Sequence, residues 1–101
     1  MSKPRIVKDY EKMSEEVIAQ IKLQYPNGFE KKLIQFKNQH SKFVSALPFE
    51  TDDYYYLIRM TRVEAQEIIE DDEDYDEDGN LTEEAKEKLE DELIQSNDED
   101  E

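Results

Sequence analysis

Asp74, Asp76 and Asp78 stand at alternate positions and are followed by Gly79, Asn80 and Leu81. That is the order in which a twelve-residue calcium loop presents its first, third and fifth ligands, its sharp turn, its backbone-carbonyl ligand and its apolar position. The chemistry would be oxygen coordination of a hard cation by Asp74, Asp76, Asp78 and Asn80. The twelfth position, where a bidentate glutamate normally closes the shell, is Ala85, and Glu83 and Glu84 fall just short of it. The same residues lie in a run with eight carboxylates in nine positions, Glu70 to Asp78. Such a run also condenses Ca²⁺ or Mg²⁺ weakly through its field, without a coordination cage. Alternatively it is a solvated acidic linker with a Gly-Asn turn. No resident cofactor is expected beyond such weak ion binding.

Charge is divided sharply along the chain. Residues 1–62 hold 11 basic and 8 acidic residues, a balance of +3, whereas residues 63–101 hold 2 and 20, a balance of −18. A segment this acidic attracts cations and basic proteins and repels nucleic acid and anionic membranes. The candidate partner-binding residues are Asp71, Asp72, Asp74, Asp76 and Asp78, with Tyr54 or Tyr56 supplying specificity beside Asp52 and Asp53. Lys3, Arg5, Lys8, Lys31, Lys32, Lys37 and Lys42, interleaved with Phe36 and Phe43, suggest phosphate contact and stacking on single strands. Alternating Lys and Phe equally describes a strand with one wet face, and +3 is a weak footprint, so direct nucleic-acid binding is not expected. A further alternative is that the acidic tail folds back and masks the basic half.

Catalysis needs a converged acid and base, an activated nucleophile or an open metal site. His40 is the sole histidine and falls in a turn, and the chain has no cysteine, which excludes disulfides, thiolate chemistry and Cys-based metal sites. A non-enzymatic protein is expected. No apolar stretch approaches the ~20 residues that span a bilayer, and Ser2-Lys3-Pro4-Arg5 does not read as a signal peptide. The expectation is a cytoplasmic protein of unspecified oligomeric state.

The elements that would position these groups follow from periodicity. Ser14 is an N-cap for a helix to Tyr25, with Val17, Ile18, Ile21 and Tyr25 on one face, Lys22 on the other, and Met13 and Ile18 at staple spacing. Pro26-Asn27-Gly28 stops it. Leu33 to Phe36 and Phe43 to Leu47 read as a hairpin around Asn38 to Ser41, with Pro48 ending its second strand, and Tyr54 to Met60 reads as a third strand. Thr61 and Glu64 have capping-box spacing before a second helix with Val63, Ala65, Ile68 and Ile69 on one face. Leu81, Ala85, Leu89 and Leu93 give a last helix with a narrow apolar stripe, marginal on its own, in which Glu84 is spaced to pair with Lys88.

The predicted fold class is therefore α+β: an N-terminal helix, a three-stranded antiparallel meander, one covering helix, an acidic turn and a marginal C-terminal helix. Residues 1–12 form a basic arm, 13–72 a small domain, 73–95 the acidic turn and helical extension, and 96–101 a disordered tail. The acidic turn between two helices resembles an EF-hand that lacks its closing ligand and a second copy. Ser2-Lys3-Pro4-Arg5-Ile6-Val7-Lys8-Asp9-Tyr10, Ser45-Ala46-Leu47-Pro48-Phe49-Glu50-Thr51 and the Asp-Tyr-Asp run together resemble a family of short, acidic, uncharacterised bacterial proteins, over residues 2–82. Some members carry a DNA-primase label, which implies a replication role by name. The chain has neither zinc-binding cysteines nor room for a catalytic primase core, and the resemblance brings no site residues with it.

Overall fold

The computed structural model describes the backbone of residues 3–99 and the side chains of residues 3–94. Local signals set most boundaries. The Ser14 hydroxyl accepts the Val17 amide at 3.2 Å and opens α1 (Glu15–Gln24), with Glu15 and Glu16 complementing the positive end of the helix dipole. A turn with Gly28 at φ +94° takes the chain away from it. β2 (Ile34–Lys37) and β3 (Phe43–Glu50) form the expected hairpin, whose turn is tied by Asn38 Oδ1 accepting the His40 and Lys42 amides at 2.9 and 3.1 Å. β4 (Tyr55–Arg59) follows a loop in which Thr51 Oγ1 accepts the Tyr54 amide at 3.0 Å. Thr61 and Glu64 make both halves of a capping box, at 3.0 and 2.8 Å, and start α2 (Arg62–Asp71). Thr82 accepts the Ala85 amide at 3.1 Å at the head of α3 (Glu83–Glu99).

The protein is a small α+β domain, but its sheet has four strands rather than three. The arm supplies β1 (Arg5–Asp9), which runs parallel to β4 and gives the order β1-β4-β3-β2. Its pairing begins where the Tyr55 amide donates to the Pro4 carbonyl at 2.9 Å. Without β1, the backbone of the buried Leu57-Ile58 strand would be paired along one side only, so the added strand satisfies an obligatory need. Arg5 and Lys8 place charge on the new edge. A 3-10 turn, Tyr10–Lys12, leads from β1 to α1.

Pro48 does not end β3. Met60 donates to the Ser45 carbonyl at 3.3 Å, so odd-numbered β3 residues exchange ladder bonds with β4 and even-numbered ones face the β2 side. β2 stops opposite Ala46, so no partner there requires an amide from Pro48. Its carbonyl accepts the Tyr25 hydroxyl instead.

One sheet face, with Leu47, Phe49, Ile58 and Met60, packs with Ile21 of α1, Ala65 and Ile69 of α2, and Phe29 and Tyr75 of the connecting segments. The thinnest dimension, 20 Å, is that of one sheet and one helix layer. α3 lies against α1 and buries Ala85 and Leu89, which gives its narrow apolar stripe the support the isolated helix would lack. Its backbone includes residues 96–99 of the segment expected to be a tail, and residues 100 and 101 lie outside the described residues, as do residues 1 and 2.

Candidate functional site

The acidic run is held to the domain by its one aromatic. Tyr75 is buried, its ring meets Phe29 edge-on with centroids 6.1 Å apart, and its hydroxyl donates to the Tyr25 carbonyl at 2.9 Å. Around this anchor the backbone folds into a tight turn: Tyr75 bridges to Leu81, the Asp76 amide donates to Asn80 O at 2.8 Å and the Thr82 amide to Asp74 O at 2.9 Å. Gly79 turns the corner at φ +82°. Leu81 donates to the Pro26 carbonyl at 2.7 Å, tying the turn to the loop after α1.

Two carboxylates of the run face inward onto lysines. Lys22 Nζ lies 2.6 Å from Asp72 Oδ2 and 2.9 Å from Asp74 Oδ2, and Lys88 Nζ lies 2.9 Å from Asp74 Oδ1. The side chains of Lys22, Asp72 and Asp74 are only 12%, 17% and 13% exposed, whereas Lys88 is 56% exposed. Burial is the largest single influence on Asp74 and raises its pKa, but the hydrogen bonds from Lys88 and Lys22 outweigh it and hold the carboxyl below its usual range. On Lys22 burial acts downward, and Asp72 and Asp74 together overcome it and raise the amine. The Lys88 amine is raised chiefly by its hydrogen bond to Asp74. Burial, with Asp72 and Asp74 nearby, pushes the Tyr10 hydroxyl well above the ordinary phenol value.

This clasp was not foreseen from sequence. Periodicity puts Lys22 opposite the apolar face of α1 and spacing matches Lys88 with Glu84, yet both reach residues of the acidic turn across the α1–α3 interface. The available signal was the lone tyrosine: an aromatic inside an acidic run needs a place to bury, and its neighbours must then find cations.

The remaining carboxylates of the run, Glu70, Asp71, Glu73, Asp76, Glu77 and Asp78, are exposed, and among the described residues none forms an ion pair. Asp76 is oriented by its own turn, with Oδ1 accepting the Asp78 and Asn80 amides at 2.9 Å each. Of the proposed ion ligands, Asp74 thus faces two ammonium groups, and no three acidic or histidine side chains converge on one point among the described residues.

Tyr54 and Tyr56 sit at the head of β4 with rings 5.9 Å apart. Tyr56 stacks on Phe49 and is half-buried, so Tyr54, 40% exposed, is the one that offers ring surface to solvent. Among the described residues no hydrogen bond or ring contact links this pair to the acidic turn. His40 is exposed in the β2–β3 turn. Lys31, Lys32, Lys37 and Lys42 are exposed too, and among the described residues no ion pair joins them to the acidic segment. No described helix is long and apolar enough to cross a membrane. Comparison with protein-family models, curated proteins and solved structures finds no match.

Proposed function

We propose that this protein is a non-enzymatic, cytoplasmic interaction module that docks on a basic protein, including one that otherwise holds nucleic acid. The observation that carries this reading is the division within the acidic run: Asp72 and Asp74 are consumed by internal lysines, whereas six neighbours stay exposed without cationic partners among the described residues. Glu83, Glu84, Glu87, Glu90 and Asp91 extend the exposed negative surface along α3. Because Tyr75 and the clasp fix the turn, its charges are presented without the ordering cost of a floppy tail. Dense exposed charge of one sign acts mainly through long-range steering and a salt-sensitive on-rate. The divalent-cation alternative has less support, since Asp74 would have to leave both Lys22 and Lys88 to become a ligand.

The test is stopped-flow association of a fluorescent lysine-rich peptide with the wild-type protein and with Asp76→Asn/Glu77→Gln/Asp78→Asn. The on-rate should fall steeply between ~50 and ~300 mM NaCl, as the Debye length shrinks below the reach of the surface charges. The triple variant should be slower at low salt. A rate indifferent to both salt and substitution would end the proposal.

A further inference from the structure

A cleft of about 780 Å³ opens between α2 and the end of the sheet, and of the acidic run it takes in Asp71 alone, at the end of α2. That volume lies within the ~300–1,000 Å³ range of sites that take several side chains or a small ligand. One wall is a single face of α2: Glu64, Glu67, Ile68 and Asp71 recur at the three- and four-residue spacing that stacks side chains. The helix has no basic residue in its last turn, so the negative end of its dipole adds to Asp71. The opposite wall comes from the start of β3, where Phe43 is 70% exposed and Lys37, outside the lining, holds its Nζ 5.7 Å from the ring centroid. Asp9 and Glu11 reach the rim from the end of β1. The one basic group in the lining, Arg59, is already paired, its Nε 3.0 Å from Asp9 Oδ1. The Ser45 hydroxyl is likewise occupied by the Met60 carbonyl, at 2.7 Å.

The chemistry of the occupant follows from these two walls. An acidic stripe with one spent counter-charge selects a cationic ligand, while Phe43 and Ile68 leave apolar surface that a purely polar cation would not cover. From this geometry we infer that the cleft is a docking groove for a peptide segment of a partner protein in which arginine or lysine alternates with an apolar anchor. The guanidinium or ammonium groups meet Glu67 and Asp71, and the anchor packs on Phe43 and Ile68. This inference rests on the reading above, that the partner is basic, and adds where and by what pattern it is gripped.

Fluorescence anisotropy with two probes decides it: a peptide of alternating arginine and leucine, and an oligoarginine of equal charge. The wild-type protein should bind the first ~10-fold more tightly, a difference of ~1.4 kcal/mol. Phe43→Ser and the pair Glu67→Gln/Asp71→Asn should each abolish that preference. All three residues are exposed and outside the core cluster, and circular dichroism of each variant confirms its fold. Equal affinity for the two probes, or preference that survives both variants while the acidic-turn triple variant still slows association, overturns the groove and leaves the basic-partner reading intact. Absence of salt-sensitive binding to either probe overturns both. Competition by spermidine as effective as by the arginine-leucine peptide also overturns the groove, because a small polyamine has no anchor.

Discussion

Replacing Lys22 with methionine isolates the clasp, because methionine keeps an apolar chain of similar reach and removes the ammonium. Two carboxylates lose a partner at 2.6 and 2.9 Å in surroundings where they are only 17% and 13% exposed. Deleting one member of a buried pair costs ~3–5 kcal/mol, because the remaining charge is stranded. Residual water access and the surviving Lys88 contact at 2.9 Å reduce this, to about 2–3 kcal/mol by the same reasoning. For a domain of this size that is a large part of the ~5–15 kcal/mol total, and at ~4–8 °C per kcal/mol it lowers the melting temperature by roughly 10–20 °C. Urea unfolding followed by circular dichroism reads the change as a lower midpoint at constant slope. Two controls sharpen the test. Lys3→Met removes an exposed pair with Glu50 and should cost under ~1 kcal/mol, and adding Asp72→Asn/Asp74→Asn to Lys22→Met should recover most of the loss. A Lys22→Met protein as stable as wild type, or one that the neutral amides fail to rescue, would refute the clasp.

Gly79→Ala forces an L side chain to φ +82°, where the nearest outside atom, Ile69 Cγ2 at 3.9 Å, leaves room; the cost is therefore conformational, ~1–2 kcal/mol by urea midpoint, and a neutral result would mean the turn relaxes elsewhere. The pKa of Lys22 and the hydroxyls of Tyr10 and Tyr75 is raised in the fold, so their stabilisation is complete below the unfolded values near ~10 and is lost as pH climbs through the folded ones. Tyr75→Phe should make that alkaline limb shallower, and an unchanged limb would contradict the assignment. Asp74 works at the opposite end: its carboxyl is depressed, so its contribution is full above ~4 and lost as pH falls below that, and Asp74→Asn should flatten the acid limb. Added NaCl should raise the melting temperature of the wild-type protein by screening the carboxylates that have no partner, and a temperature that falls with salt would show that ion pairs outweigh repulsion.

The elements legible in the sequence are those whose determining contact is local. Ser14, the Thr61–Glu64 box and the turn at Gly28 act within a few residues, and each lies where its chemistry predicts. Features that depend on distant partners are not legible there. Ile6 and Val7 are too short an apolar run to announce a strand, and become one only because β4, some fifty positions on, needs a second neighbour. Pro48 has the wrong side chain for an interior strand by composition, but the length of β2 leaves its missing amide on an open side, which no single-strand rule can anticipate. The acidic turn itself is visible in Gly79-Asn80, yet nothing local divides its carboxylates, because the lysines that do so lie 52 and 14 positions away.

That division makes the two groups of carboxylates respond in opposite ways to the same change. Lys22, Asp72 and Asp74 sit where solvent ions reach poorly, so salt should barely alter the clasp. The exposed acids repel one another in the free protein, and added salt relieves that repulsion while also weakening attraction to a basic partner. Stability and binding should therefore move in opposite directions along one NaCl titration. Neutralising Asp76, Glu77 and Asp78 should imitate salt on both, slightly stabilising the fold while slowing association, whereas neutralising Asp74 should weaken the fold. If acids drawn from the two groups behave alike in both assays, the charge of this segment has a single role, and the separation between a structural clasp and a recognition surface is wrong.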